Sequence, residues 1–213
     1  MTIAEVYNKI VYIVRKERNG FVSIDDFNQM IPLAQTDTFN HYYDISVADQ
    51  EIHDALSPFK TYYDFTPSLS PNGVVTMPSN YSHLINGYTI TSGSQRQVTF
   101  PEEDEMVNAK NSKLRPVSIN NPLGEEIRPG VIQLTPEQGQ TGRMWYLREP
   151  NTPIYAFTLN GRIITYDSIN SVQLDFFNVY QNMVIFKSLP YFGVNLSDEQ
   201  AVQYGLLKAN ETK

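Results

Sequence analysis

Several groupings of side chains have the outline of chemical sites. Residues Arg15–Asp26 resemble a calcium loop, with Asn19 and Gly20 at the turn and Ser23 and Asp26 at later ligand positions. Such loops need a carboxylate at the first ligand position and a bidentate Glu at the last. Here the first position holds Arg15, whose charge repels a cation, and the last holds the shorter Asp26. A connection between two helices, capped by Ser23, accounts for every residue. Histidine occurs at positions 41, 53 and 83. Asp37 and His41, like Asp49 and His53, are four apart and share a helix face. No HExxH, HxH or facial-triad spacing accompanies them, so isolated surface or hydrogen-bonded imidazoles are expected. The run Glu102-Glu103-Asp104-Glu105 reads as a solvated acidic face, with no second carboxylate placed for glycoside hydrolysis. Gly124 and Gly139-Gln140-Thr141-Gly142 lack a following helix signal, which argues against a phosphate cradle. No GxSxG, P-loop, GxGxxG or kinase signature is present, and cysteine is absent. The residues predict no catalytic group, no metal site and no cofactor site.

The least ordinary stretch is Met144-Trp145-Tyr146-Leu147-Arg148-Glu149-Pro150-Asn151-Thr152-Pro153, which holds the only tryptophan. Aromatic residues beside Arg are typical anchors of protein interfaces. Trp145, Tyr146 and Arg148 are therefore the candidate interface residues. The same stretch also reads as a core strand ending in a Pro-fixed turn, with Trp145 or Leu147 inward. Strand alternation lets one parity face the core and the other a partner.

The elements that position these residues fall into three runs. Ile3, Val6, Tyr7, Ile10, Val11 and Val14 recur at helical spacing, predicting a helix over 3–17. Thr2 and Glu5 form a capping box at its start, and Asn19-Gly20 ends it. Ser23-Ile24-Asp25-Asp26 opens a second helix through Phe27, Met30, Ile31, Ala34, Thr38 and Tyr42, with Pro32 placed to kink it. A third helix is expected over 47–57, ended by Pro58. From about residue 60 the chain changes to short apolar runs among Pro and Gly, with strands expected at 74–77, 88–91, 96–100, 131–134, 143–148, 154–158, 162–166 and 171–176. Asn160-Gly161 is the strongest hairpin signal. Residues 79–84 read as one helical turn, and 101–114 as a short helix. Val179, Met183, Phe186, Leu189 and Phe192 return to helical spacing with Gly193 as the stop, and Ser197–Gln200 opens a last helix near 198–208.

Helices, then strands, then helices predict an α+β fold rather than alternating βαβ units. The expected division is an N-terminal helical part (1–60), an antiparallel β-rich module (61–176) and C-terminal helices (177–213) that pack with the N-terminal ones into a single bundle. At 213 residues and 41% apolar composition the chain can bury a core. Only 18% of its residues are charged, with a net charge of −7, which disfavours non-specific binding to nucleic acid or an anionic membrane. No targeting or membrane-spanning segment is visible, so a protein that is neither exported nor membrane-bound is expected. Fourteen tyrosines, abundant amides and few charges fit an assembly subunit, and fit sugar binding equally well.

Several segments taken in order resemble one family, the virion ring proteins of the head-to-tail region in crAss-like and related phages of Bacteroidetes. The resemblance is carried by Val14–Ser23, Asp26-Phe27-Asn28 and Ala34-Gln35 at the start. In the middle it is carried by Met77-Pro78, Tyr81, His83-Leu84, Asp104-Glu105, Asn121-Pro122 and the run Trp145–Pro153. At the end it is carried by Ser171, Gln173–Phe176, Asn182, Val184, Lys187, Leu189 and Tyr191–Leu196. Pro190, inside the C-terminal helix, departs from the pattern and is expected to kink or shorten it. The resemblance implies a non-catalytic homo-oligomeric ring in the head–tail connector of a phage virion. Such a ring contacts the portal or neighbouring ring and tail proteins and is assembled in the bacterial cytoplasm. Double-stranded DNA passes through its channel without sequence-specific binding. The acidic balance suits such a conduit, because a wall that repels phosphate does not hold the passing duplex. The alternative is a carbohydrate-binding or tail-fibre-associated module, with Trp145 and Tyr146 stacking on sugar rings.

Overall fold

The computed structural model describes residues 1–18, 20–45, 54–102, 104–161 and 163–194. The fold is α+β, with helices near the ends of the described chain and antiparallel sheets between them. It divides into two compact units, one made of residues 1–58 with 150–213 and the other of residues 59–149. The expected β-rich module of 61–176 thus ends earlier, at Glu149, and the chain from Pro150 onward belongs with the helices.

In the helical unit, α1 (Ile3–Arg18) turns its apolar stripe of Ile3, Val6, Ile10 and Val14 fully inward. Its start is the expected capping box: the Thr2 amide donates to Glu5 Oε2 at 2.8 Å and the Glu5 amide to Thr2 Oγ1 at 3.3 Å. Gly20 follows at close quarters, where a Cβ would stand 2.8 Å from the Val14 side chain. Helix α2 (Ile24–Ile45) opens on Ser23, whose Oγ accepts from the Asp26 amide at 3.0 Å. The supposed calcium loop is therefore a helix–turn–helix with a serine cap. Helix α2 continues through Pro32 to Ile45. The expected helix over 47–57 lies largely outside the described residues.

Beyond residue 150 this unit carries a hairpin of β8 (Phe157–Asn160) and β9 (Ile163–Tyr166). Asn160 pairs with Ile163, so the turn is one residue later than the Asn-Gly signal suggests, with Gly161 at its first central position and φ 62°. The strand expected at 171–176 is reduced to one bridge between Ile154 and Val172. Helix α4 (Gln181–Ser188) packs against α2. Pro190 shortens the helix as expected: the α-helix ends at Ser188 and a 3-10 turn runs over Leu189–Phe192. Gly193 at φ 77° donates to the Pro190 carbonyl and Val194 to Leu189, the paired closure of a Schellman stop. The helix expected near 198–208 lies outside the described residues.

The sheet unit contains a four-stranded antiparallel sheet ordered β1 (Lys60–Phe65), β7 (Thr141–Arg148), β3 (Tyr81–Thr91), β4 (Ser94–Gln97). A second sheet is ordered β2 (Val74–Thr76), β6 (Val131–Thr135), β5 (Leu123–Arg128). Their inner faces share one apolar cluster that includes Phe65, Met144 and Tyr146 from the first sheet and Val75, Ile132 and Leu134 from the second. Residues 79–84, read as a helical turn, instead include the first residues of β3. The acidic run leads into α3 (Met106–Lys110), shorter than the helix expected over 101–114. Among the described residues no helix is long and apolar enough to cross a membrane.

Candidate interface and the network behind it

Strand β7 runs between β1 and β3, and its alternation decides where each candidate side chain goes. Even positions Met144 and Tyr146 enter the core. Tyr146 is 3% exposed, and its hydroxyl donates to Asn80 Oδ1 at 3.0 Å. Burial pushes its phenol pKa up, with Arg148 and the Asn80 bond opposing. Tyr146 is thus a core residue and offers no surface to a partner or a sugar ring. Trp145 takes the opposite parity and lies half-buried on the outer face. Arg148 ends the strand, with its guanidinium 5.5 Å from the Phe59 ring centroid and a bond from Nη1 to the Glu149 carbonyl. The three candidates do not form one patch, because consecutive strand residues point to opposite faces.

What surrounds Trp145 is a group outside the stretch first singled out. The register sets Tyr62, Trp145 and Asn86 side by side in one row across β1, β7 and β3. The next row is Asp64, Arg143 and Tyr88. Tyr62 meets Trp145 edge-on at 5.2 Å. The Arg143 guanidinium stands 3.8 Å above the Tyr62 ring and 5.8 Å from the Trp145 ring centroid, a cation–π arrangement. Arg143 also grips Asp64 with both ends of its fork, Nε to Oδ1 at 2.6 Å and Nη2 to Oδ2 at 3.0 Å. That bond holds the Asp64 carboxyl below the usual carboxylate range. Arg143 was legible as the i−2 neighbour of Trp145 on one strand face. Tyr62 and Asp64 sit some eighty residues upstream, and no local pattern connects them.

A second cluster, in the helical unit, gathers residues that carry the family resemblance. Gln35 is fully buried on α2. Its Nε2 donates to the Asn151 carbonyl at 2.7 Å, and its Oε1 accepts from the Asp175 amide at 2.9 Å. Asp175 closes the ring of bonds, accepting from the Asn151 amide at 2.6 Å and from Asn151 Nδ2 at 3.0 Å. Seven residues before Gln35, and so on the same helix face, Asn28 pairs with the Tyr155 backbone in both directions at 2.8 and 3.1 Å. Helix α2 thereby supplies side-chain amides that act as a strand edge for the segment beginning at Asn151. Asn28, Gln35 and Asp175 thus spend their side chains or amides on the segment beginning at Asn151, and the network positions chain.

The remaining sequence signals sit apart from both clusters. His41 lies on α2, its pKa lowered by burial and by Lys187, with Asp44 opposing. His83 lies on β3, and His53 is outside the described residues. Glu102, Asp104 and Glu105 are exposed. Among the described residues no group of three or more His, Asp or Glu side chains is placed to hold a metal ion. No protein-family model matches the chain, and no curated protein matches it.

Proposed function

We propose that the chain is a structural subunit of a phage virion, forming a ring in the head–tail connector that joins the portal to the tail and surrounds the DNA path. One observation carries the reading. Four residues that mark the family resemblance, Asn28, Gln35, Asn151 and Asp175, lie far apart in sequence and serve one joint, where α2 receives the chain returning from the sheet unit. Side chains spent on joining distant segments are what a mechanical subunit needs. The net charge of −7 supports the reading further, since a conduit for DNA must not bind it. Mass spectrometry and cryo-electron microscopy of purified particles test the proposal. The expected result is this chain at a fixed copy number between portal and tail, and its absence from the particle overturns the reading.

A second reading rests on the Tyr62–Trp145 face, where an exposed Tyr62 ring and a half-buried Trp145 ring stand beside Arg143, Asp64 and Asn86 as in a sugar-stacking platform. A glycan array separates the two. A monomer that binds a defined glycan, and loses at least about tenfold in affinity on Trp145→Ala, favours the module over the ring.

A further inference from the structure

Residues 98–100 run beside the start of β5, where the Thr99 amide donates to the Pro122 carbonyl at 3.1 Å and the Gly124 amide to the Thr99 carbonyl at 2.9 Å. Pro101, which has no amide hydrogen, ends that ladder, and β5 is the outermost strand of its sheet. An open groove of about 470 Å³ follows, within the ~300–1,000 Å³ of ordinary binding clefts. Its apolar lining includes Leu84, Phe100, Met106 and Ile127. Gly124 is required in its wall, since a Cβ there would stand 2.2 Å from the Phe100 ring. Glu125 and Glu126 also line the groove, and the exposed Glu102, Asp104 and Glu105 fall in the chain between the lining residues Pro101 and Met106. Lys110 is already spent on Glu125, at 2.8 Å. The groove is thus apolar within and acidic at its rim.

The complementary surface stands on the same unit. Leu114 is 96% exposed and is flanked by Lys113 and Arg115, both exposed. Neither cation has an ion-pair partner among the described residues. The loop that carries them is held in shape: Ser112 Oγ accepts from the Arg115 amide at 3.2 Å, and Asn121 Nδ2 donates to the Arg115 carbonyl at 3.2 Å and to the Pro116 carbonyl at 3.4 Å. A side chain presented on a pre-set loop loses little further freedom on binding. Its exposure also shows that Leu114 does not fill the groove of its own chain.

We infer that Lys113-Leu114-Arg115 of one copy seats in the groove of a second copy, with Leu114 on the apolar lining and the two cations against the rim carboxylates. An apolar knob between cations matches an apolar groove between acids in both shape of pattern and sign of charge. The net charge of −7 does not decide the contact, because salt screens repulsion beyond about 8 Å at physiological ionic strength and leaves the facing patches to set its sign. Knob and groove are different surfaces, so each copy gives one contact and receives one, and the contact can repeat around an axis; this last step rests on the ring reading above.

Sedimentation velocity on the full chain tests the inference. Wild type is expected to rise above 24.4 kDa with concentration and to fall back as salt is raised. Lys113→Glu/Arg115→Glu reverses the knob, and Glu102→Lys/Asp104→Lys/Glu105→Lys reverses the rim. All five positions are exposed, so both variants are expected to keep the wild-type circular dichroism. Each alone is expected to associate at least about tenfold more weakly, and an equal mixture of the two to recover wild-type association, since each reversed surface then meets its match. Should a reversed chain misfold, Leu114→Gln leaves every charge in place and must also weaken association by about tenfold. A folded variant that assembles like wild type, or a mixture no better than its components, overturns the inference. A wild type that stays monomeric at the highest concentration reached overturns the second copy as occupant, in favour of a basic segment of another protein. Particle composition decides the ring reading separately: the chain present in particles beside a fully assembling variant refutes the knob alone, and a self-associating chain absent from particles refutes the ring alone.

Discussion

The sheet unit is one continuous stretch of chain whose strands close over an apolar cluster and whose outer face carries the Arg143–Asp64 fork. The helical unit draws Gln35, Asn151 and Asp175 together across sequence separations of 116 and 140 residues, and holds them with part-buried hydrogen bonds to the fully buried Gln35. Apolar cohesion tolerates imprecise placement, whereas a buried amide that loses its partner costs its full desolvation. The sheet unit has a buried polar joint too, Ser70 Oγ with the Gln140 backbone at 2.8 and 3.1 Å, so the contrast is one of reach: the helical unit's bonds span the longer sequence separations. Where distant segments must find each other, directional bonds fix which segment lies where.

The only tryptophan lies in the sheet unit, so its fluorescence reports that unit while far-UV circular dichroism near 222 nm follows the helices. Phe65→Ala, at a fully buried core position, is expected to destabilise the sheet unit by about 3–5 kcal/mol and to move the fluorescence transition first in denaturant. Equal movement of both signals would show that the two units unfold as one block. Gln35→Ala strips partners from the Asn151 carbonyl and the Asp175 amide, and is expected to cost ~2–4 kcal/mol, seen first in the helical signal. A loss below about 0.5 kcal/mol would mean water replaces the amide, and the contrast drawn above would fail.

Smaller effects sharpen the picture inside the sheet unit. Tyr146→Phe removes only the bond to Asn80 and is expected to cost about 1 kcal/mol in chemical denaturation, leaving the core packed. Asp64→Asn breaks the exposed fork and is expected to cost no more than ~1 kcal/mol. Because the folded carboxyl titrates below its unfolded value of about 3.9, its contribution is complete above that range and disappears as pH falls through the folded value. Wild type and Asp64→Asn should therefore differ at neutral pH and converge in strong acid, which melting curves against pH will show.

Helices were the most legible elements because their stripes are long. The expected 3–17 is observed as Ile3–Arg18, and both N-terminal caps are where Thr2 and Ser23 announce them. Strand β1 escaped notice because Tyr62 and Tyr63 are adjacent aromatics with opposite destinations, outward and inward, which hides the period of two. Strand β5, Leu-Gly-Glu-Glu-Ile-Arg, buries only its first two residues, so its apolar signal is too short to read. Residues 171–176 have strand-like side chains but spend them on a loop, where Asp175 answers Asn151 and Gln35 rather than a neighbouring ladder. Trp145 and Tyr146 were both interface candidates, and neither could be assigned a face until the register of β7 was fixed. Tertiary pairing, absent from any local window, made that decision.

Lys60 and Leu147 are paired neighbours, so the polypeptide leaves the helical unit and comes back through adjacent strands. Tension applied between Pro58 and Pro150 therefore pulls across the rungs joining β1 to β7 and peels them singly, instead of shearing all of them at once. A load of that direction opens the sheet unit like a zip at modest force. On the ring proposal, stress in the particle must travel through side-chain contacts with neighbouring subunits and bypass those two crossing points.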